Sequence, residues 1–218
     1  MRIEKLEVLA EDDSVIVINK PAGLLTMATD REKTKTAYAM LRAYLNNKRR
    51  PEKVFIVHRL DREASGLVVF AKSAESKERL QDQFKDHSAG RRYVAVVEGR
   101  VTEDAFTVQS YLAENAAYRV YSTHNQREGK LAVTHIRVLK RSAKTSLVEV
   151  RLETGRKHQI RVHLAERGHP IVGDKAYGSE VNSFRRLALH GVQLDFKHPA
   201  TGKATSFRSP YPREWEPR

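Results

Sequence analysis

The sequence predicts an α+β fold in which a mainly antiparallel, mixed sheet is flanked by a few helices. Two long segments, 131–139 and 145–152, alternate apolar and polar residues, which is typical of antiparallel strands with one wetter face. The shorter runs Val15–Ile18 and Leu67–Ala71 are continuously apolar, as in buried strands. Helical periodicity is confined to short segments.

The elements are predicted in order from these patterns and from their stop signals. A strand at Ser14–Asn19 ends at Pro21 and Gly23, and a helix starting at Ala37 has Thr36 as its N-cap and stops at 46–47. The remaining elements are a strand at 54–57, a strand at 67–71, a helix from Ser73 to His87, strands at 92–98, 106–112, 118–123, 131–139 and 145–152, a helix at 158–167, and a final hairpin of 187–196 with 204–207.

Length and composition predict a single catalytic or binding domain over residues 1–218. No sharp change of composition marks a boundary, and 40% hydrophobic residues suffice for a substantial core. The absence of cysteine excludes disulfides and thiolate metal sites and suits the cytoplasm. No apolar stretch reaches the length of a signal peptide or a membrane span. We expect a cytoplasmic protein with no membrane association, and a monomer because no apolar seam is evident.

The charge of the chain indicates a polyanionic partner. Forty basic and 27 acidic side chains give a formal net charge of +13. The excess is spread as short pairs along the chain, for example Arg91-Arg92 and Arg156-Lys157, which is typical of a basic face on a folded body. Nucleic acid is the expected partner, since contacts of Lys and Arg with phosphates supply most sequence-independent affinity.

The stretch from His58 to Lys72 is the candidate functional site. Asp61 lies between Arg59 and Arg62 on a loop joining two predicted strands, with Ser65-Gly66 as the predicted turn. Neighbouring arginines favour an ionised carboxylate that can serve as nucleophile or base. The alternative reading is a surface salt bridge at the end of a strand.

Four ordered motifs resemble the RluA-type family of RNA pseudouridine synthases. They are Asn19-Lys20-Pro21-Ala22-Gly23-Leu24, then His58-Arg59-Leu60-Asp61 with Ser65-Gly66-Leu67 and Phe70-Ala71-Lys72, then Arg92 to Gly99, and finally Thr154 to Leu164 running on to Gly168, Pro170, Ile171, Gly173, Asp174, Tyr177 and Gly178. The resemblance extends from about Glu11 to Lys203. Ala64 departs from the pattern, because the family usually has threonine there.

The resemblance implies the family's catalytic fold, with an active-site cleft across the sheet, and an isomerase that needs neither metal nor organic cofactor. Asp61 corresponds to the catalytic carboxylate, Tyr93 to the active-site tyrosine and Arg161 to the basic partner of the carboxylate. For Arg161 the alternative is an ordinary helix-surface arginine, with Arg156 as the other candidate partner. For Tyr93 the alternative is a plain core residue.

The resemblance also implies a set of RNA contacts, in rRNA or tRNA. Arg59 corresponds to a wedge that fills the gap left by an extruded base. Lys20 is predicted to frame the cleft rather than to be a solvated charge at a strand end. The other residues predicted to contact RNA are His58, Arg156 and Ile160. Because only about ten residues precede the first predicted strand, we expect no N-terminal RNA-binding domain of the S4 type.

Other chemistries are less well supported by the residues. His158 and His163 are five apart, a spacing that places them on different sides of a helix, and no Cys/His cluster exists, so we expect no metal site. Both are expected to be structural hydrogen-bonding groups or phosphate contacts. Asp61 and Glu63 invite a glycosidase reading, but no second motif supports it. A non-catalytic RNA-binding protein is the runner-up, and a metal-dependent nuclease lacks a carboxylate cluster.

Overall fold

The computed structural model describes residues 2–3, 6–30 and 32–216 and confirms the predicted α+β class. In chain order its elements are β1 (Arg2–Ile3), β2 (Leu6–Glu11), β3 (Val15–Lys20), α1 (Ala37–Asn46), β4 (Phe55–Ile56), β5 (Ser65–Ala71), α2 (Ala74–Lys85), β6 (Gly90–Glu98), β7 (Ala105–Glu114), β8 (Val120–Thr123), β9 (Lys130–Arg141), β10 (Thr145–Leu152), α3 (Gln159–Glu166), β11 (Leu189–Lys197) and β12 (Ala204–Arg208). Short 3₁₀ turns lie at Lys175–Tyr177 and Arg213–Trp215.

The chain divides into two compact units, each built on its own part of the sheet. The first comprises Met1–Arg91 with Gly191–Pro210, and the second comprises Arg92–His190 with Tyr211–Arg218. The order of strands in the first unit is β1, β2, β3, β5 and β11, with β12 paired to β11 and β4 to β5. In the second unit the order is β6, β10, β9, β7 and β8, with antiparallel neighbours throughout.

In the first unit, β5 is the central buried strand. All seven of its residues are buried, as its unbroken apolar run predicts. Val17 of β3, Val69 of β5 and Leu194 of β11 share one core cluster with Leu80 of α2. Burying side chains of this size stabilises the fold by about 1.5–3 kcal/mol each. The strands that lead into and away from the Asp61 loop are therefore fixed by packing.

The predicted N-caps of the first two helices are confirmed. The Thr36 hydroxyl accepts a hydrogen bond from the Ala39 amide at 3.0 Å, and the Ser73 hydroxyl accepts one from the Ser76 amide at 3.0 Å. Each bond satisfies a backbone donor that has no partner within its helix. The inward stripe of α1 consists of Ala37, Leu41 and Leu45 at intervals of four residues, so its opposite face is left for solvent or ligands.

Two local predictions were wrong. Ser65 and Gly66 do not form a turn, because they are the first residues of β5. Gly66 has a φ of +120°, and a Cβ there would lie 2.3 Å from the Gly191 amide nitrogen, so only glycine permits this close approach to β11. The sequence patterns also do not predict β2, which lies before the first predicted strand and whose first residues alternate between buried and exposed positions.

Candidate active site

The Asp61 loop is held in place by its backbone. The Leu60 amide donates to the Thr26 hydroxyl at 3.1 Å, and that hydroxyl donates to the Leu60 carbonyl at 2.9 Å. Leu60 is 6% exposed and anchors the loop in the interior, whereas Asp61 is half-buried and Arg59 is exposed. A half-buried carboxylate on a fixed backbone is a suitable arrangement for directed chemistry at a surface site.

A second loop, 20–26, supports the Asp61 loop from beside it. The Gly23 amide donates to the Arg62 carbonyl at 2.8 Å, and the Arg62 Nε donates back to the Gly23 carbonyl at 3.2 Å. Gly23 has a φ of +84°, a conformation that glycine adopts without strain. These reciprocal bonds fix the position of the residue next to Asp61.

Lys20 holds the two loops together. Its side chain is fully buried, and its Nζ donates to the Leu24 carbonyl at 2.7 Å and to the Ala64 carbonyl at 2.7 Å. Further contacts reach the Pro21 carbonyl at 3.0 Å and the Arg62 carbonyl at 3.4 Å. A buried ammonium is tolerated only when hydrogen bonds replace its hydration, and here backbone carbonyls do so. Lys20 is thus not a solvated charge at a strand end.

His58 packs as a neutral ring. Its Nε2 accepts a hydrogen bond from the Val69 amide at 3.2 Å, and the ring stacks on Phe84 with centroids 4.6 Å apart. Burial, reinforced by the nearby Arg91 charge, lowers the pKa of His58 to about 3. The ring is consequently uncharged at neutral pH, and its contacts are those of a structural hydrogen-bonding group rather than of a phosphate ligand.

Arg161 lies in the second unit and is buried. It is 4% exposed, and its Nε and Nη2 donate to the two carboxylate oxygens of Asp174 at 2.7 and 2.8 Å. Its guanidinium also lies 5.0 Å from the centre of the Tyr177 ring. The alternative of an ordinary helix-surface arginine is therefore wrong. A bidentate pair of this kind fixes the plane of the guanidinium.

Asp174 is a residue to which sequence reasoning gave no role. It is 3% exposed and follows the helix that carries Arg161 by only a short connection. The sequence could have indicated this role, because Asp174 is an acidic residue within the last of the four motifs, which is rich in basic residues with which it can form an ion pair.

The other predicted residues of the second unit occupy different environments. Tyr93 lies in β6 opposite Val150 of β10 and is 6% exposed. Ile160 is buried on α3, whereas Arg156 is exposed and its Nε donates to the Leu131 carbonyl at 3.0 Å. Of the predicted site residues, Lys20, His58, Arg59 and Asp61 belong to the first unit, and Tyr93, Arg156, Ile160 and Arg161 belong to the second.

A buried polar network orients α3. The side-chain amide nitrogen of Gln159 (Nε2) donates to the Thr134 hydroxyl at 2.8 Å, and that hydroxyl also contacts His163 Nδ1 at 2.8 Å. His163 Nε2 contacts the Ser110 hydroxyl at 3.0 Å. Burial lowers the pKa of His163 to about 4. His163 is therefore a neutral structural group, as one of the two sequence interpretations proposed.

The described residues form neither a metal-binding cluster nor a membrane-spanning helix. Among the described residues, no group of three or more His, Cys, Asp or Glu side chains is arranged to hold a metal ion. Within the same part of the chain, none of the helices combines the length and the apolar character that crossing a membrane requires.

Comparison with known proteins gives the family. Residues 14–166 match the family model described as RNA pseudouridylate synthase. The chain belongs to this family. The match covers the Asp61 loop, Tyr93 and Arg161, and it confirms the resemblance that the sequence motifs indicated.

Curated relatives of this family member include named ribosomal RNA enzymes. Ribosomal large subunit pseudouridine synthase D of Neisseria meningitidis serogroup A is 38% identical over 219 residues, covering 95% of this chain and 58% of that protein. An uncharacterized RNA pseudouridine synthase of Bacillus subtilis, YlyB, is 38% identical over 216 residues, covering 96% of this chain and 70% of that protein. The chain thus spans little more than half the length of the Neisseria relative.

Solved structures confirm the fold of this family member. Human RNA pseudouridylate synthase domain containing 4 superposes with a TM-score of 0.78 at 23% identity, covering 95% of this chain and 89% of that one. Human RNA pseudouridylate synthase domain containing 1 gives the same TM-score at 24% identity, over 96% and 85% of the two chains. At these identities the likeness concerns the fold.

Proposed function

We propose that this chain is an RNA pseudouridine synthase that isomerises uridine in structured RNA without a metal or organic cofactor. The main structural support is the Asp61 loop. Its carboxylate is half-buried, and its backbone is held by hydrogen bonds to Thr26, Gly23 and Lys20. Family membership supports the reaction class. The rRNA names of the curated relatives favour ribosomal over transfer RNA as the substrate.

The proposed reaction is balanced without a co-reactant. The bond from ribose C1′ to uracil N1 breaks, the freed base turns, and a bond from C1′ to C5 forms. The proton on C5 leaves and N1 gains one, so no atoms or electrons are added. The enzyme must supply a pocket for an extruded base and a carboxylate near the sugar or the ring. Addition to the sugar, addition to the base and glycal formation are all compatible with Asp61.

The roles of the remaining residues follow from family correspondence and from their environments. Tyr93 is proposed to stack on the uracil and to move a proton. Arg161 is proposed to orient the catalytic carboxylate, and its clamp by Asp174 supports such a positioning task because it fixes the guanidinium. We further propose that the chain acts as a single catalytic domain, as a monomer and in the cytoplasm.

Asp61→Asn tests the central role. The amide keeps the size of the side chain, so the variant should fold and bind RNA nearly as the parent does but lose isomerisation by at least about 10⁴-fold, since it removes the acting carboxylate. The assay measures pseudouridine by mass spectrometry in large-subunit ribosomal RNA incubated with purified protein and EDTA.

Glu63→Gln serves as the matched control, because Glu63 is an exposed carboxylate two residues away. It should retain full activity. An Asp61→Asn enzyme with undiminished turnover would falsify the assignment, and RNA cleavage that EDTA abolishes would favour the nuclease alternative.

Arg59→Ala tests the wedge. Arg59 is exposed and has no side-chain hydrogen bond or ion pair with any residue that the structure describes, so it is available to an RNA ligand. Extruding a stacked base costs a few kcal/mol, which an intercalating guanidinium offsets in part. The rate should therefore fall by about tenfold or more on a structured RNA and by much less on an unpaired oligouridylate. An equal loss on both substrates contradicts the wedge.

A further inference from the structure

A groove in the first unit lies beside the Asp61 loop and is not accounted for by the proposed chemistry. It has a volume of about 1120 Å³ and is lined by residues 21–25, 28, 32–35, the outward face of α1 and Arg62. We call it the α1 groove. All of its lining residues belong to the first unit.

The walls of the α1 groove are fixed to each other. The Ala37 amide donates to the Leu25 carbonyl at 2.8 Å, and the Tyr38 amide donates to the Thr26 carbonyl at 3.1 Å. The start of α1 is thereby attached to the 20–26 loop. Because that same loop holds Leu60 and Arg62, the groove and the Asp61 loop share one scaffold and are preorganised together.

The charge of the groove is strongly unbalanced. Its lining includes the cations Lys33, Lys35, Arg42 and Arg62 and the single carboxylate Glu32. Glu32 is already engaged, because it accepts hydrogen bonds from the Thr34 amide at 3.0 Å and the Lys35 amide at 2.9 Å. These bonds shape the 32–35 turn, and one carboxylate does not balance the four cations of the lining.

Three of the groove cations are available to a ligand. Lys33, Lys35 and Arg42 are exposed, and none makes a side-chain hydrogen bond or ion pair with the part of the chain that the structure describes. Cations that line one groove repel one another, and a bound polyanion relieves that repulsion. Several exposed cations in one groove suit a ligand with repeated negative charges, such as a nucleic-acid strand, better than a single carboxylate.

The groove also offers apolar surface between these cations. Ala39 and Ala43 are one helical turn apart on the wall formed by α1, and their short side chains leave the groove open. Tyr38 and Met40 add half-buried surface. Phosphate-binding cations interleaved with apolar and aromatic surface are typical of grooves that follow a single strand, with bases on the walls.

From this geometry we infer that the α1 groove binds the single-stranded RNA that flanks the target uridine. The inference rests on the proposed RNA substrate and adds to it a path for the strand, beginning at Arg62 next to the catalytic loop and running along α1. Its effect is on affinity rather than on the chemical step, since none of the groove cations needs to touch the reacting atoms.

The test compares two triple variants that remove equal charge. The groove variant is Lys33→Ala with Lys35→Ala and Arg42→Ala. The control variant is Lys85→Ala with Lys144→Ala and Lys203→Ala, at exposed positions that do not line the groove. The probe is a fluorescent oligouridylate of about twenty nucleotides, titrated by anisotropy over a range of salt concentrations. Binding is read without turnover, so the result does not depend on isomerase activity.

The groove variant should bind the oligouridylate at least about tenfold more weakly, with a salt slope shallower by about 2, because three phosphate contacts each contribute about 0.7. The control variant should stay within about twofold of the parent. Equal Kd values and slopes for the two variants would overturn the inference, and so would a tighter-binding groove variant.

A second variant tests the groove without changing its charge. Ala43 is exposed on α1, so Ala43→Leu is compatible with folding and narrows the groove without adding an aromatic ring on which a base could stack. It should weaken binding of the long oligouridylate several-fold, leave a trinucleotide unaffected, and suppress crosslinks from 4-thiouridine to α1. Undiminished binding and unchanged crosslinks would assign the groove to some other occupant, such as a peptide. Failure of isomerisation in the parent enzyme is a separate outcome, read in the pseudouridine assay.

Discussion

At the scale of single residues, burial decides which charged groups are structural. Lys20, read from sequence as part of a cleft, is fully buried and holds two loops through backbone carbonyls. His58, which directly precedes the wedge candidate Arg59, is neutral for the same reason. The sequence places these residues in a motif, but it does not reveal which of them face solvent, because that depends on segments distant in the chain.

Lys20→Met should destabilise the protein by about 3 kcal/mol or more in free energy of unfolding. The change keeps the length of the side chain but removes the donor that serves the Leu24 and Ala64 carbonyls, and buried acceptors without partners are costly. Lys53→Met is the control, since Lys53 is exposed and should change stability by less than about 0.5 kcal/mol. Urea unfolding measures both, and a Lys20→Met variant as stable as the control contradicts the structural role.

At the scale of elements, sequence periodicity predicted whether a segment is a helix or a strand better than it predicted where the element begins and ends. Both N-caps were correct because a hydroxyl side chain satisfies local amides regardless of the rest of the fold. The missed β2 contains a register shift between Val8 and Ala10, and its apolar Leu9 lies on the exposed face at 38% exposure. A bulge of this kind depends on pairing with β3, which local sequence does not specify.

The element formed by α3 and the turn after it depends on a buried ion pair. Asp174→Asn should destabilise the protein by about 3–5 kcal/mol, because it leaves the buried Arg161 charge without its carboxylate. Asp104→Asn provides the matched control: the Asp104 side chain is 94% exposed and pairs with Arg141, so its loss should cost less than about 1 kcal/mol.

Chemical unfolding at neutral pH measures both aspartate variants, and pseudouridine formation should fall with Asp174→Asn alone. If both variants lose equal stability, the buried pair has no special role.

At the scale of the whole molecule, buried histidines make stability depend on pH. His58 and His163 have folded pKa values of about 3 and about 4, below the ordinary value of 6.5. The unfolded chain therefore binds more protons than the folded one once the pH falls below about 6.5. Stability is lost as the pH falls through this window, and the loss levels off below the folded pKa values.

On going from neutral pH to about pH 5, each of the two histidines should lower the free energy of unfolding by about 1–2 kcal/mol. His163→Gln keeps a polar group for Ser110 and Thr134 but does not titrate, so the stability of this variant should fall less steeply between about pH 6.5 and pH 5 than that of the parent. Urea unfolding across this range measures the slope. Parallel slopes for parent and variant exclude His163 as a source of the pH dependence.

The sequence by itself determined the fold class, the family and the motif that contains Asp61, because strand alternation, capping residues and motif order are local properties of the chain. Only the tertiary structure revealed that Lys20 ties two loops together, that Asp174 clamps Arg161, that Gly66 lies in a strand against Gly191, and that Lys33, Lys35 and Arg42 line one groove. The physical reason is the same in each case. Burial and ion pairing depend on contacts between residues far apart in sequence, and a local sequence pattern does not specify those contacts.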